Sequence, residues 1–240
     1  MSAADPTKMT DGDFSWAAQL MASRRERYAQ YSPVFWRPAR GIVDTHAQFL
    51  RFASARPGAI GLRTAHGFVI ASQQDGRCFV DDFAVDDDAF WATDGRALLM
   101  TAWRLARKPG NALRVVSARR DEPKRRMLTD LGLTPHARWW VKELSPSGPP
   151  ATHGAITLGD LPALLVRAPP VYDPGGPVCL LGDLDGGRAL RAAERAAAAG
   201  AVLAIVQREG GDAPVTDDEP ALEAAGYHNP SEFYQGRPEV

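Results

Sequence analysis

The stretch CFVDDFAVDDDAFWATDGRALLMTAWRLAR (78–107) decides the fold. It opens on an apolar run, CFVDDFAV (78–85), that reads as a strand. An acidic loop, DDDAFWATDG (86–95), leads into RALLMTAWRLAR (96–107). In that last segment Ala97, Leu98, Met100 and Leu105 fit a mostly buried helix, which Pro109-Gly110 ends. ALRVVSA (112–118) is the next strand. Strand, helix and strand in this order predict a mixed α/β fold, a sheet flanked by helices.

Upstream, Phe14, Ala17, Ala18, Met21 and Tyr28 mark a helix from Asp13 that Pro33 stops. An aromatic-rich loop (31–39) separates it from a second helix over 43–55. Strands are expected at 59–64 and 67–72, and DGR (75–77) reads as a hairpin turn. Residues 1–12 are polar and read as a frayed end. Downstream, a short helix over 123–131 starts with Pro123 and is capped by Gly132, and RWWVKEL (138–144) is a strand.

Composition excludes several classes. Among 240 residues, 45% are hydrophobic and 24% charged, so wholesale disorder is ruled out. The net charge of −1, from 28 Lys and Arg against 29 Asp and Glu, argues against a nucleic-acid binder. Two cysteines, Cys78 and Cys179, exclude a disulfide scaffold and a Cys-rich zinc site, and suit a reducing cytoplasm. No apolar run is long enough for a membrane span, and the start of the chain has no secretory h-region. The expectation is a cytoplasmic protein with no metal and no membrane or nucleic-acid partner.

SPSGPPATHG (145–154) makes the best linker, which places domains at 1–145 and 146–240. Beyond it the chain repeats itself. GAIGL (58–62) recurs as GAITL (154–158), CFVDDF (78–83) as CLLGDL (179–184), and GRAL (95–98) as GRAL (187–190). ALRVV (112–116) matches VLAIV (202–206), and Gly132 matches Gly226. Helix falls over helix and strand over strand, which favours a duplication over shared generic composition. The second half lacks the two leading helices and is a partial copy.

Small residues at Gly95-Arg96-Ala97 would expose the first backbone N–H groups of a helix, where the dipole favours an anion. An ordinary strand–loop–helix connection explains the same residues equally well. The order of elements breaks the tie. From the first helix to DLGLTPHARWWVKEL (130–144) it resembles the GNAT-type N-acetyltransferases. The family signature R/Q-x-x-G-x-G/A falls on Ala92-Thr93-Asp94-Gly95-Arg96-Ala97. Gly95 and Ala97 fit, and Ala92 departs from it. In the family's Tyr-x-x-x-Gly-Phe pattern Gly132 fits, and Leu128 replaces the tyrosine that often serves as acid.

The resemblance implies a GNAT-like fold, in tandem with a partial second copy, and acetyl-CoA as cosubstrate. Its pantetheine arm would bond the backbone of Phe83, Ala84 and Val85, and its pyrophosphate would sit at Asp94, Gly95, Arg96 and Ala97. The acetyl group would pass directly to a primary amine, on a small molecule or a peptide, in a ternary complex. The amine must lose a proton, so a base near the cleft is needed. Strand alternation puts Asp81 and Asp82 on opposite faces, and Asp82 is preferred as base. Solvation, or pairing with Arg77, Arg119 or Arg120, is the plainer use of both. Water or Ser117 would stand in for the missing acid, with a plain backbone hydrogen bond as the simpler use of Ser117. Tyr31, Phe35 and Trp36 would cover the acceptor, or else close the core. His46 and His66 have no partner at a recognisable spacing.

The loop from Cys179 to Gly187 is about half as long as that from Cys78 to Gly95, so the second copy is read as degenerate, without cofactor. It would complete the cleft, extend the sheet, or form a homodimer surface. A catalytically inactive CoA-binding regulator or interaction protein is the rival reading, fed by Ala92 and Leu128.

Overall fold

The computed structural model describes residues 5–74, 76–210 and 219–239. The chain forms two compact units. Unit 1 comprises Met1–Arg25, Gly41–Thr134 and Phe233–Val240, and unit 2 comprises Glu26–Arg40 and Pro135–Glu232.

In unit 1 the strand order is β1 (Thr7–Lys8), β2 (Ile60–Arg63), β3 (Gly67–Gln74), β4 (Arg77–Val85), β5 (Ala112–Ala118). The first four pair antiparallel, and β4 pairs parallel with β5. A parallel neighbour requires a crossover, which α3 (Asp94–Ala106) supplies. Its inner face, Leu98, Leu99, Ala102 and Trp103, packs on Val69, Val80 and Val115. Each such side chain, fully buried, contributes about 1.5–3 kcal/mol. α4 (Glu122–Asp130) adds Met127 and Leu128 to this core, and Gly132 follows it in the left-handed region at φ +77°. The opposite face is covered by α1 (Phe14–Ala29), through its unit 1 residues, and by α2 (Ile42–Ser54). There Phe14, Ala17, Ala18 and Leu50 meet Phe68, Ile70 and Ala84.

In unit 2 the order is β6 (Thr134–Glu143), β10 (Leu203–Glu209), β9 (Val178–Leu181), β8 (Leu161–Val166), β7 (Gly154–Leu158). Here β9 and β10 are the parallel pair, joined by α5 (Gly186–Ala198). Ala189, Ala192, Ala193 and Ala196 of α5 lie on Cys179, Leu181, Ala204 and Val206. Small side chains let this helix lie close to the strands. α6 (Glu219–Ala224) and β11 (His228–Gly236) complete the chain. The other sheet face carries Val141, Val178, Leu203 and Ile205, and is covered by Val34 and Phe35 rather than by helices.

The run β2-β3-β4-α3-β5-α4-β6 and the run β7-β8-β9-α5-β10-α6-β11 therefore have the same order of elements. The two closing strands depart from a simple linear division. From Pro135 onward β6 belongs to unit 2, and from Phe233 onward β11 belongs to unit 1. Two sequence expectations need correction. The leading residues are not all frayed, because Thr7 and Lys8 pair with Arg63 and Leu62. β6 starts at Thr134, four residues before the tryptophan-rich run that signals it. Asp75 of the expected DGR turn lies outside the described residues.

Candidate active site

The parallel pairing of β4 with β5 runs from Arg77↔Ala112 to Val80↔Val115. Both strands continue beyond that point, so a slot opens between them. On its other side β4 pairs Phe83 with Val69 and Val80 with Ala71. Two residues, Asp81 and Asp82, thus oppose the single Ile70, which is a β-bulge. The bulge overturns the alternation expected for these carboxylates. Val80 and Phe83 both face the core under α3. The two residues between them therefore share the opposite face, the one that α1 and α2 cover.

Asp82 is locked there. His46 Nε2, from α2, donates to Asp82 Oδ1 at 2.8 Å. Arg25 Nη1, from α1, donates to His46 Nδ1 at 3.1 Å, so both ring nitrogens of His46 are committed. Arg25 Nη2 also stands 3.8 Å from Asp82 Oδ1. All three side chains are buried. Burial alone would raise the Asp82 carboxyl, but the His46 hydrogen bond and the charges of Arg25 and Lys124 outweigh it and hold it low. Asp82 is a fixed anion and a weak proton acceptor.

Asp81 is different. It is solvent-exposed and is the first residue of β4 past the last pair with β5. Protein crowding, which strips part of its hydration, and the neighbouring Asp82 charge push its carboxyl up to about 6. An accessible carboxylate titrating near neutrality is the usual mark of a proton-transfer site.

Two buried cations reach the β4 edge. Lys124 Nζ, from α4, donates to the Phe83 carbonyl at 3.4 Å and lies 5.1 Å over the Phe83 ring and 5.3 Å over the Trp91 ring. Burial lowers Lys124 to about 8. Arg24 Nε donates to the Val85 carbonyl at 3.0 Å, while its Nη1 and Nη2 meet Asp121 Oδ2 at 3.2 Å and Asp88 Oδ1 at 2.9 Å.

The residues expected to hold acetyl-CoA fit it in one part and not in another. The edge at Phe83 and Val85 is turned toward the slot and could carry an extended arm once Lys124 and Arg24 let go. The start of α3 does not suit a pyrophosphate. Asp94 puts a buried carboxylate there, 4% exposed, and its Oδ1 has no hydrogen-bond partner among the described residues. A second negative charge would be repelled. Gly95 has its own reason to be glycine, since a Cβ would stand 2.7 Å from the Trp91 ring. The Ala97 N–H is spent on Thr93 O at 2.9 Å. Arg96 is exposed at the helix start.

Ser117 is buried and donates to the Ala118 carbonyl at 3.3 Å. Alternation from Leu113 and Val115 puts it on the α3 face, away from Asp81. Tyr31, Phe35 and Trp36 all belong to unit 2. Tyr31 is exposed, Phe35 packs edge-on to Trp139 at 6.1 Å, and Trp36 meets Tyr172 at 5.7 Å. His66 stacks on Phe90 at 3.7 Å and meets Asp86 at 3.1 Å.

In unit 2 the corresponding junction is closed differently. Asp185 caps α5, its Oδ1 accepting from the Arg188 N–H at 2.8 Å. Arg208 holds the Leu184 carbonyl at 3.1 Å and Asp183 at 3.0 Å. Among the described residues no cluster of His, Cys, Asp or Glu is arranged for a metal, and no helix is long and apolar enough to cross a membrane.

No family model and no curated protein matches the chain. Solved structures do. A GCN5-related N-acetyltransferase from Sphaerobacter thermophilus superposes with a TM-score of 0.54 at 12% identity, over 98% of this chain and 96% of that one. A proposed acetyltransferase from Pyrococcus horikoshii gives 0.52 at 12% identity, over 98% of this chain and 89% of that one. Both superpositions span the two runs of elements, not the first alone. The chain has the fold of the GCN5-related N-acetyltransferases.

Proposed function

We propose that the chain is an acetyl-CoA-dependent N-acetyltransferase acting on a primary amine of a small molecule or peptide, with its reacting centre at the slot between β4 and β5. The observation that carries this reading is the bulged Asp81–Asp82 pair placed where the strands part. When bound, the acyl donor supplies an activated thioester carbonyl. Asp81 takes the proton that an acceptor ammonium must shed before its nitrogen can attack. Asp82, held ionised by His46 and Arg25, lifts Asp81 into the working range and draws a cationic acceptor toward the slot. Lys124, near 8, is a slot-wall group able to return a proton. The second run of elements, with its capped α5, serves as a partial copy without a donor site.

A second reading is favoured by the engaged carbonyls of Phe83 and Val85. If Lys124 and Arg24 never release them, the protein is a catalytically inactive regulator or interaction protein. One experiment separates the two. The protein is mixed with acetyl-CoA and a panel of amines, and thermal shift and free thiol are followed together. Stabilisation with amine-dependent thiol release, lost in Asp81→Asn, supports the enzyme. Stabilisation without turnover supports a CoA-binding regulator, and the absence of both leaves an interaction protein.

A further inference from the structure

Unit 2 contains a cavity of about 350 Å³ on the sheet face away from α5. Val178, Leu180 and Ile205 form its floor, and the rings of Phe35, Trp139 and Tyr172 form its walls. The walls are held firmly. Trp139 Nε1 donates to Gln207 Oε1 at 3.0 Å, Pro38 bridges Tyr172 through the backbone, and Arg37 Nη1 donates to the Pro174 carbonyl at 3.4 Å. Water in so apolar a space would lack hydrogen-bond partners, so the cavity favours an apolar guest. One charged side chain lines it, Arg167. Arg167 is exposed, and among the described residues its side chain makes no hydrogen bond or ion pair.

An apolar aromatic box with a single uncommitted, solvent-exposed arginine at its edge matches a specific chemistry. We infer that this cavity is a binding site for a compact aromatic carboxylate, its ring system between Phe35, Trp139 and Tyr172 and its carboxylate on Arg167. The volume suits one or two fused rings. A guanidinium fork and a carboxylate are geometrically matched, which gives the anion an advantage over a neutral molecule of the same shape. The inference is independent of acetyl transfer. None of the slot residues of unit 1 takes part, so either reading can fail alone.

The test uses 2-naphthoate and its neutral isostere 2-naphthamide with the full chain, by titration calorimetry. Naphthoate is expected to bind one to one with Kd on the order of 100 µM, as its size allows. Naphthamide is expected to bind roughly tenfold more weakly, the loss of one charge-assisted contact. Arg167→Gln should erase that difference. Val166→Trp, which fills the cavity from β8, should abolish binding of both. A second filling variant, Ala168→Phe from the segment after β8, guards against misfolding of the first, and circular dichroism checks both. Equal affinity for acid and amide, binding that survives both filled variants, or no binding of naphthoate at 1 mM each overturns the inference. So does self-association of the free protein that the filled variants abolish, since a second copy would then be the occupant.

Discussion

The two units pass through the same order of elements yet finish their second sheet face in different ways. Unit 1 covers it with two helices and, at the bulge, a buried network of charges, Arg25, His46 and Asp82. Unit 2 covers it with the segment 26–40, whose rings wall in an apolar cavity. Helices bring many side chains in regular rows and can fill a sheet face. A loop brings a few large rings and leaves space. The parallel-strand junctions differ as well. Arg24 in unit 1 is buried against Asp121, whereas Arg208 in unit 2 meets Asp183, whose side chain is 57% exposed. The same chemistry, an arginine pinning a carbonyl at or just past a strand end, is thus fully buried in one unit and half-exposed in the other.

The largest predicted effect breaks that contrast if it fails. Arg24→Met removes the buried guanidinium that holds Asp121, Asp88 and the Val85 carbonyl together, which costs about 3–5 kcal/mol. Arg208→Met removes a half-exposed pair and costs about 1 kcal/mol. Urea unfolding of both variants measures the gap. Equal losses would mean that the two clamps are equivalent and that burial is not what separates the units.

Next in size is the Asp81→Asn change. Loss of a general base lowers kcat/KM by roughly 100-fold or more, with the unfolding midpoint unchanged. The pH profile carries the sign. Asp81 must be ionised to accept a proton, so kcat/KM rises as pH passes upward through about 6, and the Asn variant is flat there. Asp82 acts in the opposite sense on stability. Its folded value lies below the ordinary one, so its contribution is present above the ordinary carboxylate range and is lost as pH falls through the folded value. His46→Phe should therefore weaken the protein at neutral pH and remove that acid-side loss, readable in unfolding curves between pH 3 and pH 7, a window spanning the ordinary carboxylate pKa of about 4.

Much of unit 1 was legible because its signals are local. The run 112–118 reads as a strand from its own residues and is β5 to the residue, and the helix expected at 43–55 is α2 shifted by one. The slot was not. Asp81 and Asp82 look like an alternating pair until the register with β3 slips, and nothing within the strand announces that slip. His46 reaches Asp82 across 36 positions and Arg24 reaches Asp121 across 97, so neither pairing has a spacing to recognise. The one available signal was chemical, two adjacent arginines inside a helix whose neighbours Ala17, Ala18 and Ala22 are core. The partner of the aromatic loop was hidden for the same reason. Its rings announce burial, but the sheet they bury against lies more than 100 positions downstream, in β6 and β10.

The smallest effect tests the likeness of the two runs rather than their difference. Gly132 follows α4 and Gly226 follows α6, both left-handed, at φ +77° and +82°. An alanine in that region pays a backbone strain of about 1–2 kcal/mol wherever it stands. Around Gly132 a new Cβ would meet nothing within 4 Å, so Gly132→Ala reads the strain alone. Around Gly226 it would come within 3.1 Å of Lys142 Nζ, the end of a flexible side chain that donates to the Ala225 carbonyl. Moving that ammonium adds one hydrogen bond, about 1 kcal/mol, to the same strain. Gly226→Ala should then be the more damaging by that margin in thermal unfolding, and Lys142→Met should bring the two alanine variants level. If Gly226→Ala remains worse in the Lys142→Met background, the extra cost lies in the α6 turn itself, and the helix ends of the two runs are not equivalent.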